Sequence, residues 1–223
     1  MLRGTNPSHI NSNLYHYAGN NPVKYTDPDG RLVDYALIGQ LEGSESEGYV
    51  PNDGKGYGSY SGVTIAVGFD LGQQNEWDLR RIFGAGDTNK DLKDLFTPYL
   101  GKKGTDAFTY LQDHPLVLTD SQIDRVNTCV LPAYLKSISD YYNDHVDEEH
   151  NWDTLPDQAQ TVLFSIAFHC GNGGLSQDLM DAIASGQYSQ AANLVEAMGV
   201  GTQYADRRKI EANLLRQLPN TTE

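Results

Sequence analysis

The alternation of apolar and polar positions becomes regular from Val33 onward. Asp34, Leu37, Ile38 and Leu41 fall at i, i+3, i+4 and i+7, which predicts a short amphipathic helix stopping at Glu42 and Gly43. A Gly-rich loop then runs to Gly62. Beyond it, Val63, Ile65, Val67 and Phe69 alternate with Thr64, Ala66, Gly68 and Asp70, the period of a half-buried strand. The capping box Thr119-x-x-Gln122 opens a second helix carrying Ile123, Val126 and Val130, with a kink expected at Pro132. Thr154 and Asp157 again have capping-box spacing. After them Ala159, Val162, Leu163, Ile166, Ala167 and Cys170 form a stripe that Gly171-Asn172-Gly173-Gly174 ends. Phe164 and Phe168 widen that stripe, so this segment is expected to be the central buried helix. Shorter helices are expected around Gln190 to Met198 and Ala205 to Leu218. With no internal repeat and no regular strand–helix alternation, the pattern predicts a predominantly helical α+β domain rather than a doubly wound sheet.

Composition changes this picture at one end. Residues 1–31 hold three basic and two acidic residues, a net +1, against −15 for the rest of a chain whose total is −14. That step predicts a boundary near Arg31. Nucleic-acid binding needs clustered Lys and Arg, which such an acidic chain does not supply. No apolar run approaches the roughly 20 residues of a membrane span. Met1 to Ile10 contain no apolar core of a secretory signal, so export is expected to rely on another machine or a longer parent chain. Cys129 and Cys170 lack CxxC spacing and are read as two buried free thiols in preference to one disulfide.

Several familiar sites fail on spacing. Gly48 to Lys55 has the wrong interval for a phosphate loop and is followed by Gly56, and Gly58-Ser59-Tyr60-Ser61-Gly62 has Tyr where a nucleophile elbow needs Ser. His145 and His150 flank a charged stretch that reads as a solvated connection, and His169 beside the apolar stripe reads as a packed or hydrogen-bonded ring rather than a base. The segment Glu42, Glu45, Glu47 offers more. A glycosidase needs one carboxyl in a partly apolar setting to hold its proton and a second, well-solvated carboxylate to manage water. Glu42, beside Leu41 at a helix end, suits the first role. Thr64 and Asp70 share a strand face, yet fully extended they would stand about 20 Å apart. Gly68 must therefore bend the chain if both are to reach one site.

Asn13-Leu14-Tyr15, Asn20-Asn21-Pro22 and Asp27-Pro28-Asp29-Gly30 resemble the end of the RHS-repeat-associated core, where a β-shell closes just before a variable C-terminal toxin. The resemblance implies residues 1–32 as a core remnant or linker, autoproteolysis near Leu32, and an effector domain over 33–223. Arg31 stands where that family usually has an apolar residue.

A second resemblance covers most of Val33 to Leu218. Leu41-Glu42-Gly43, Gly48-Tyr49-Val50-Pro51 and Ser61-Gly62-Val63-Thr64-Ile65-Ala66-Val67-Gly68-Phe69-Asp70-Leu71-Gly72-Gln73 resemble the pesticin-like muramidases of the phage-type lysozyme class. So do Leu155-Pro156-x-x-Ala159-Gln160-x-x-Leu163-Phe164-Ser165 and Arg207-Arg208-x-x-Glu211-Ala212. The resemblance implies a lysozyme-like fold with a small β region, a catalytic triad of Glu42, Thr64 and Asp70, and hydrolysis of the N-acetylmuramic acid–N-acetylglucosamine β-1,4 bond. Asp53 is the reserve carboxylate, and Ala66 stands where Gly is common. Tyr49, Tyr57 and Tyr60 are candidate sugar-stacking residues. No cofactor or metal is expected. The implied partners are peptidoglycan glycan strands, a cognate immunity protein, and a parent RHS shell with its secretion apparatus, with action in the periplasm or wall of a target bacterium. A lytic transglycosylase and a non-catalytic wall-binding module are the alternatives.

Overall fold

A computed structural model describes residues 33–221; the RHS-like segment, the boundary near Arg31 and the cleavage point near Leu32 lie outside the described residues. Chain order gives helix α1 (Tyr35–Glu42), strands β1 (Glu45–Tyr49), β2 (Thr64–Ala66) and β3 (Phe69–Asp70), then helices α2 (Glu76–Phe83), α3 (Lys90–Phe96), α4 (Gly104–Asp113) and α5 (Asp120–Asn143). Helices α6 (Asp157–Cys170), α7 (Gln177–Ala184), α8 (Tyr188–Ala197) and α9 (Ala205–Arg216) complete the described chain. The mostly helical α+β class expected from the sequence is the one observed, with one antiparallel sheet in the order β1-β2-β3. Among the described residues no helix is long and apolar enough to cross a membrane.

Helix α1 forms where the spacing places it. The Asp34 side chain accepts from the Leu37 N–H, and Gly43, at φ +76°, ends the helix by donating its own N–H to the Gly39 carbonyl. Thr119 and Gln122 form the expected capping box of α5, and Pro132 lies inside that continuous helix. Helix α6 is the central element, packing against α1, α5 and α9. Every residue from Ala159 to Ala167 is buried, including Gln160, Thr161 and Ser165, so the element is core on all sides rather than along one stripe. Its buried polar groups are satisfied: Gln160 donates to the Trp152 and Leu155 carbonyls, and Thr161 Oγ1 accepts from the Asp34 N–H at 3.0 Å, which ties α1 to α6.

The structure corrects three expectations. Thr154 does not cap α6: its hydroxyl donates to the Asn151 carbonyl in the turn Trp152–Thr154, and Pro156 occupies the N-cap position. Cys129 and Cys170 are free, as expected, but neither is buried: Cys129 is half-buried and Cys170, at the end of α6, is exposed. The run Val63 to Asp70 is a hairpin, not one strand. Ile65 pairs with Phe69 and Thr64 with Asp70, while Val67 and Gly68, following the last β2 residue Ala66, make the turn. Gly68 at φ +88° supplies the predicted bend, and Ala66 shares the left-handed region at φ +53°.

Candidate active site

Hairpin formation closes the separation that an extended strand would impose. Thr64 and Asp70 become directly opposed partners, and Tyr49 on β1 opposes Thr64, so the three stand in one row across the sheet. Asp70 is fixed by backbone. Its Oδ1 accepts from the N–H groups of Gly62 and Gly72, both at 2.9 Å, and among the described residues no hydrogen bond goes to Oδ2. Those two glycines cross so closely that a Cβ on Gly62 would meet the Gly72 backbone and the Lys102 carbonyl oxygen. Thr64 is buried and its hydroxyl donates to the Gly62 carbonyl at 3.3 Å.

Glu42 approaches this hairpin from the C-terminal end of α1. Its side chain is 13% exposed, and its Oε1 accepts from Arg207 Nη2 at 2.5 Å. No hydrogen bond to Oε2 occurs among the described residues, and that oxygen lies about 4.0 Å from where a Cβ on Gly68 would stand. One carboxylate oxygen is thus anchored and the other faces the hairpin turn. Tyr49 reports the same convergence: burial, then the charges of Glu45, Glu42 and Asp70, push its phenol up from the ordinary value.

Behind Glu42 lies a buried ionic cluster. Glu211, fully buried, accepts from Ser165 Oγ at 2.5 Å, from Arg207 Nε at 3.1 Å and from Arg208 Nη1 at 2.5 Å. Arg207 also donates to the Ser165 carbonyl and hydroxyl. Burial alone would lower the Arg207 pKa, but the hydrogen bonds and charges of Glu42 and Glu211 more than offset it, so the guanidinium stays charged. The set thus pairs two arginines with two glutamates. Arg208 Nη2 contacts His169 Nδ1 at 2.9 Å. Burial, with the Arg207 and Arg208 charges, pushes that imidazole down to about 4, so the neutral ring accepts this hydrogen bond. His169 is thus the hydrogen-bonded histidine that its position beside the apolar stripe predicts.

The other sequence candidates are distributed differently. Asp53 is exposed on the turn Pro51–Gly54, which packs against α4, and among the described residues no hydrogen bond or ion pair joins it to Glu42, Thr64 or Asp70. Tyr49 is 40% exposed beside the carboxylates and Tyr60 is 75% exposed, its carbonyl accepting from Gln73 Nε2. The side chain of Tyr57 lies outside the described part of the structure. His145 and His150 line an open groove of about 620 Å³ with Asp144, Asp147 and Asp181, on elements other than those bearing Glu42 and Asp70. Sequence reasoning assigned no function to Ser165, Arg207, Arg208 or Glu211. The spacing of the two arginines and Glu211 signals one helical cluster, but nothing local shows that it reaches Glu42.

These contacts set the frame for comparison with known proteins. A family model described as "Pesticin: Bacterial toxin homologue of phage lysozyme, C-term" matches residues 32–189, a span that includes Glu42, Thr64 and Asp70 and ends before α9. No match was found among the curated proteins. With well over half of its length matched, the chain belongs to the pesticin family of bacterial toxin homologues of phage lysozyme.

Proposed function

We propose that this domain is a muramidase that hydrolyses the β-1,4 bond between N-acetylmuramic acid and N-acetylglucosamine in peptidoglycan, with Glu42 as general acid and Asp70 with Thr64 holding the attacking water. The observation that carries this reading is the paired anchoring of the two carboxyl groups. Glu42 is held through Oε1 by Arg207 and Asp70 through Oδ1 by two backbone N–H groups, while each keeps its second oxygen without a hydrogen bond among the described residues. A proton carried on Glu42 Oε2 faces the hairpin, where it can be passed to a glycosidic oxygen. Asp70 Oδ2 is available to accept a proton from water as that water attacks the anomeric carbon. Because Glu211 and Ser165 hold Arg207 independently of Glu42, the guanidinium keeps its place when Glu42 takes up or releases its proton. Acid–base hydrolysis of this kind needs no cofactor. A water-mediated pair inverts the anomer, and the two carboxyl groups then stand roughly 6.5–9.5 Å apart.

The biological reading follows from the substrate. The chain acts as the toxin of an RHS-type effector, delivered by the parent shell and its secretion apparatus to the periplasm or wall of a target bacterium, and a cognate immunity protein protects the producer. With a net charge of −14, long-range attraction does not bring the enzyme to an anionic wall polymer, so local contacts must hold the glycan. The test is digestion of purified peptidoglycan with mass analysis of the products. Reducing ends with added water support the hydrolase. Anhydro-sugar ends identify a transglycosylase, and intact glycan identifies a binding module.

A further inference from the structure

Outside the Tyr49–Thr64–Asp70 row, helix α2 places an indole at the surface. Trp77, in the first turn of α2, is 67% exposed, whereas the other tryptophan, Trp152, is buried at 4%. The Arg81 guanidinium lies over the Trp77 ring, 5.6 Å from its centroid, and the indole remains mostly exposed. Arg81 itself keeps donors available. Its ion pair with Asp78 spans 3.7 Å and its side chain is 43% exposed, while Asp78 is engaged in capping α2 through Asn75.

This pair is tied to Asp70 by short connections. Gln74 Nε2 donates to the Asp70 carbonyl at 3.2 Å, and the next residue, Asn75, accepts from the Trp77 N–H at 2.8 Å. Tyr134 on α5 feels the charges of both Asp70 and Arg81. Burial and the Asp70 charge push its phenol up, while a hydrogen bond with Gln74 and the Arg81 charge act the other way. The α2 surface therefore continues from Asp70 through Gln74 and Asn75, offering an exposed indole and a cation one helical turn apart.

We infer that Trp77 and Arg81 form a glycan subsite in which the indole stacks on a pyranose ring and the guanidinium binds a carboxylate carried by the substituent of that sugar or its neighbour. An aromatic face takes the apolar C–H face of a sugar ring, and the guanidinium fork matches a carboxylate. The ligand class is an N-acetylhexosamine chain bearing acidic peptide stems. The subsite rests on the muramidase reading and adds to it a preference for peptide-bearing over unsubstituted glycan.

The test uses the full chain carrying Glu42→Gln, titrated with soluble peptide-bearing glycan fragments and, separately, with chitooligosaccharide. Tryptophan emission should shift to the blue on binding, and the change reports Trp77 because Trp152 is already buried. By calorimetry, Trp77→Ala should weaken both ligands by about threefold to tenfold, and Trp77→Tyr should recover most of the loss. Arg81→Ala should weaken only the peptide-bearing ligand. Unchanged affinities in Trp77→Ala, with wild-type protein still releasing reducing ends, overturn the subsite alone. If wild type releases no reducing ends and neither ligand binds, the muramidase reading fails and the subsite with it.

Discussion

Replacing Glu211 with Gln probes how the ionic cluster supports Glu42. The substitution keeps shape and removes one carboxylate from a buried set of two arginines and two glutamates. Arg208, only 2% exposed, then keeps no carboxylate among the partners described above, and Arg207 retains Glu42 alone. Breaking a buried pair by removing one partner costs about 3–5 kcal/mol. For a domain of this size each kcal/mol lowers Tm by about 2–4 °C, so a fall of about 6–20 °C is expected. Urea and thermal unfolding measure it directly, with Glu211→Asp as a control that keeps the charge. A loss below about 1 kcal/mol, the range of surface pairs, would refute the view that Glu211 neutralises this cluster.

Other outcomes follow from single contacts. Folded His169 stays neutral down to about 4, whereas an unfolded imidazole takes its proton near 6.5, so the unfolded chain binds more protons between these values. The His169 contribution to stability is therefore complete above about 6.5 and declines toward 4; His169→Gln should flatten that part of the stability–pH curve, and an unchanged slope would contradict it. At Ala66, φ +53° disfavours any side chain, so Ala66→Gly should alter stability by less than about 1 kcal/mol despite losing a buried methyl. Ala66→Val should cost more than about 2 kcal/mol, both read by urea midpoint. Asp70→Asn should lower hydrolysis by about 10² or more, with Thr64→Ala milder and Asp53→Asn nearly silent; the reverse ranking of the two aspartates in a turbidity assay would move water handling to the Pro51–Gly54 turn.

What could be read from the sequence was whatever local chemistry decides. Helix α1 and the α5 capping box follow from spacing and caps that need no tertiary partner, and the course of α6 follows from its apolar spacing but not from the Thr154 cap expected for it. Strand β1 escaped because Glu45-Ser46-Glu47-Gly48-Tyr49 has no apolar alternation, and its residues are mostly exposed. The hairpin escaped because an unbroken period-two run, carried across Ala66, Val67 and Gly68, looks the same in a strand as in two strands and a turn. Helices α2 and α7 carry local signals, the Asn75–Asp78 capping box and the Ser176 N-cap, whereas α3 and α4 are short segments without a side-chain cap. Gln160, Thr161 and Ser165 look like surface residues by helical periodicity, yet each has a hydrogen-bond partner supplied from outside α6. The site divides in the same way. Glu42, Thr64 and Asp70 belong to one stretch of chain, but the Arg207 contact spans 165 residues, and no spacing rule reaches that far.

The central claim is that Glu42 supplies the proton that breaks the glycan. Purified peptidoglycan digested in parallel by wild-type protein and by Glu42→Gln, with thermal unfolding to show that the variant is folded, tests it most directly. The account predicts hydrolytic products of inverted anomeric configuration from wild type and a loss of about 10² to 10⁴ in rate for the folded variant. A folded Glu42→Gln protein that still cleaves at the wild-type rate would contradict it.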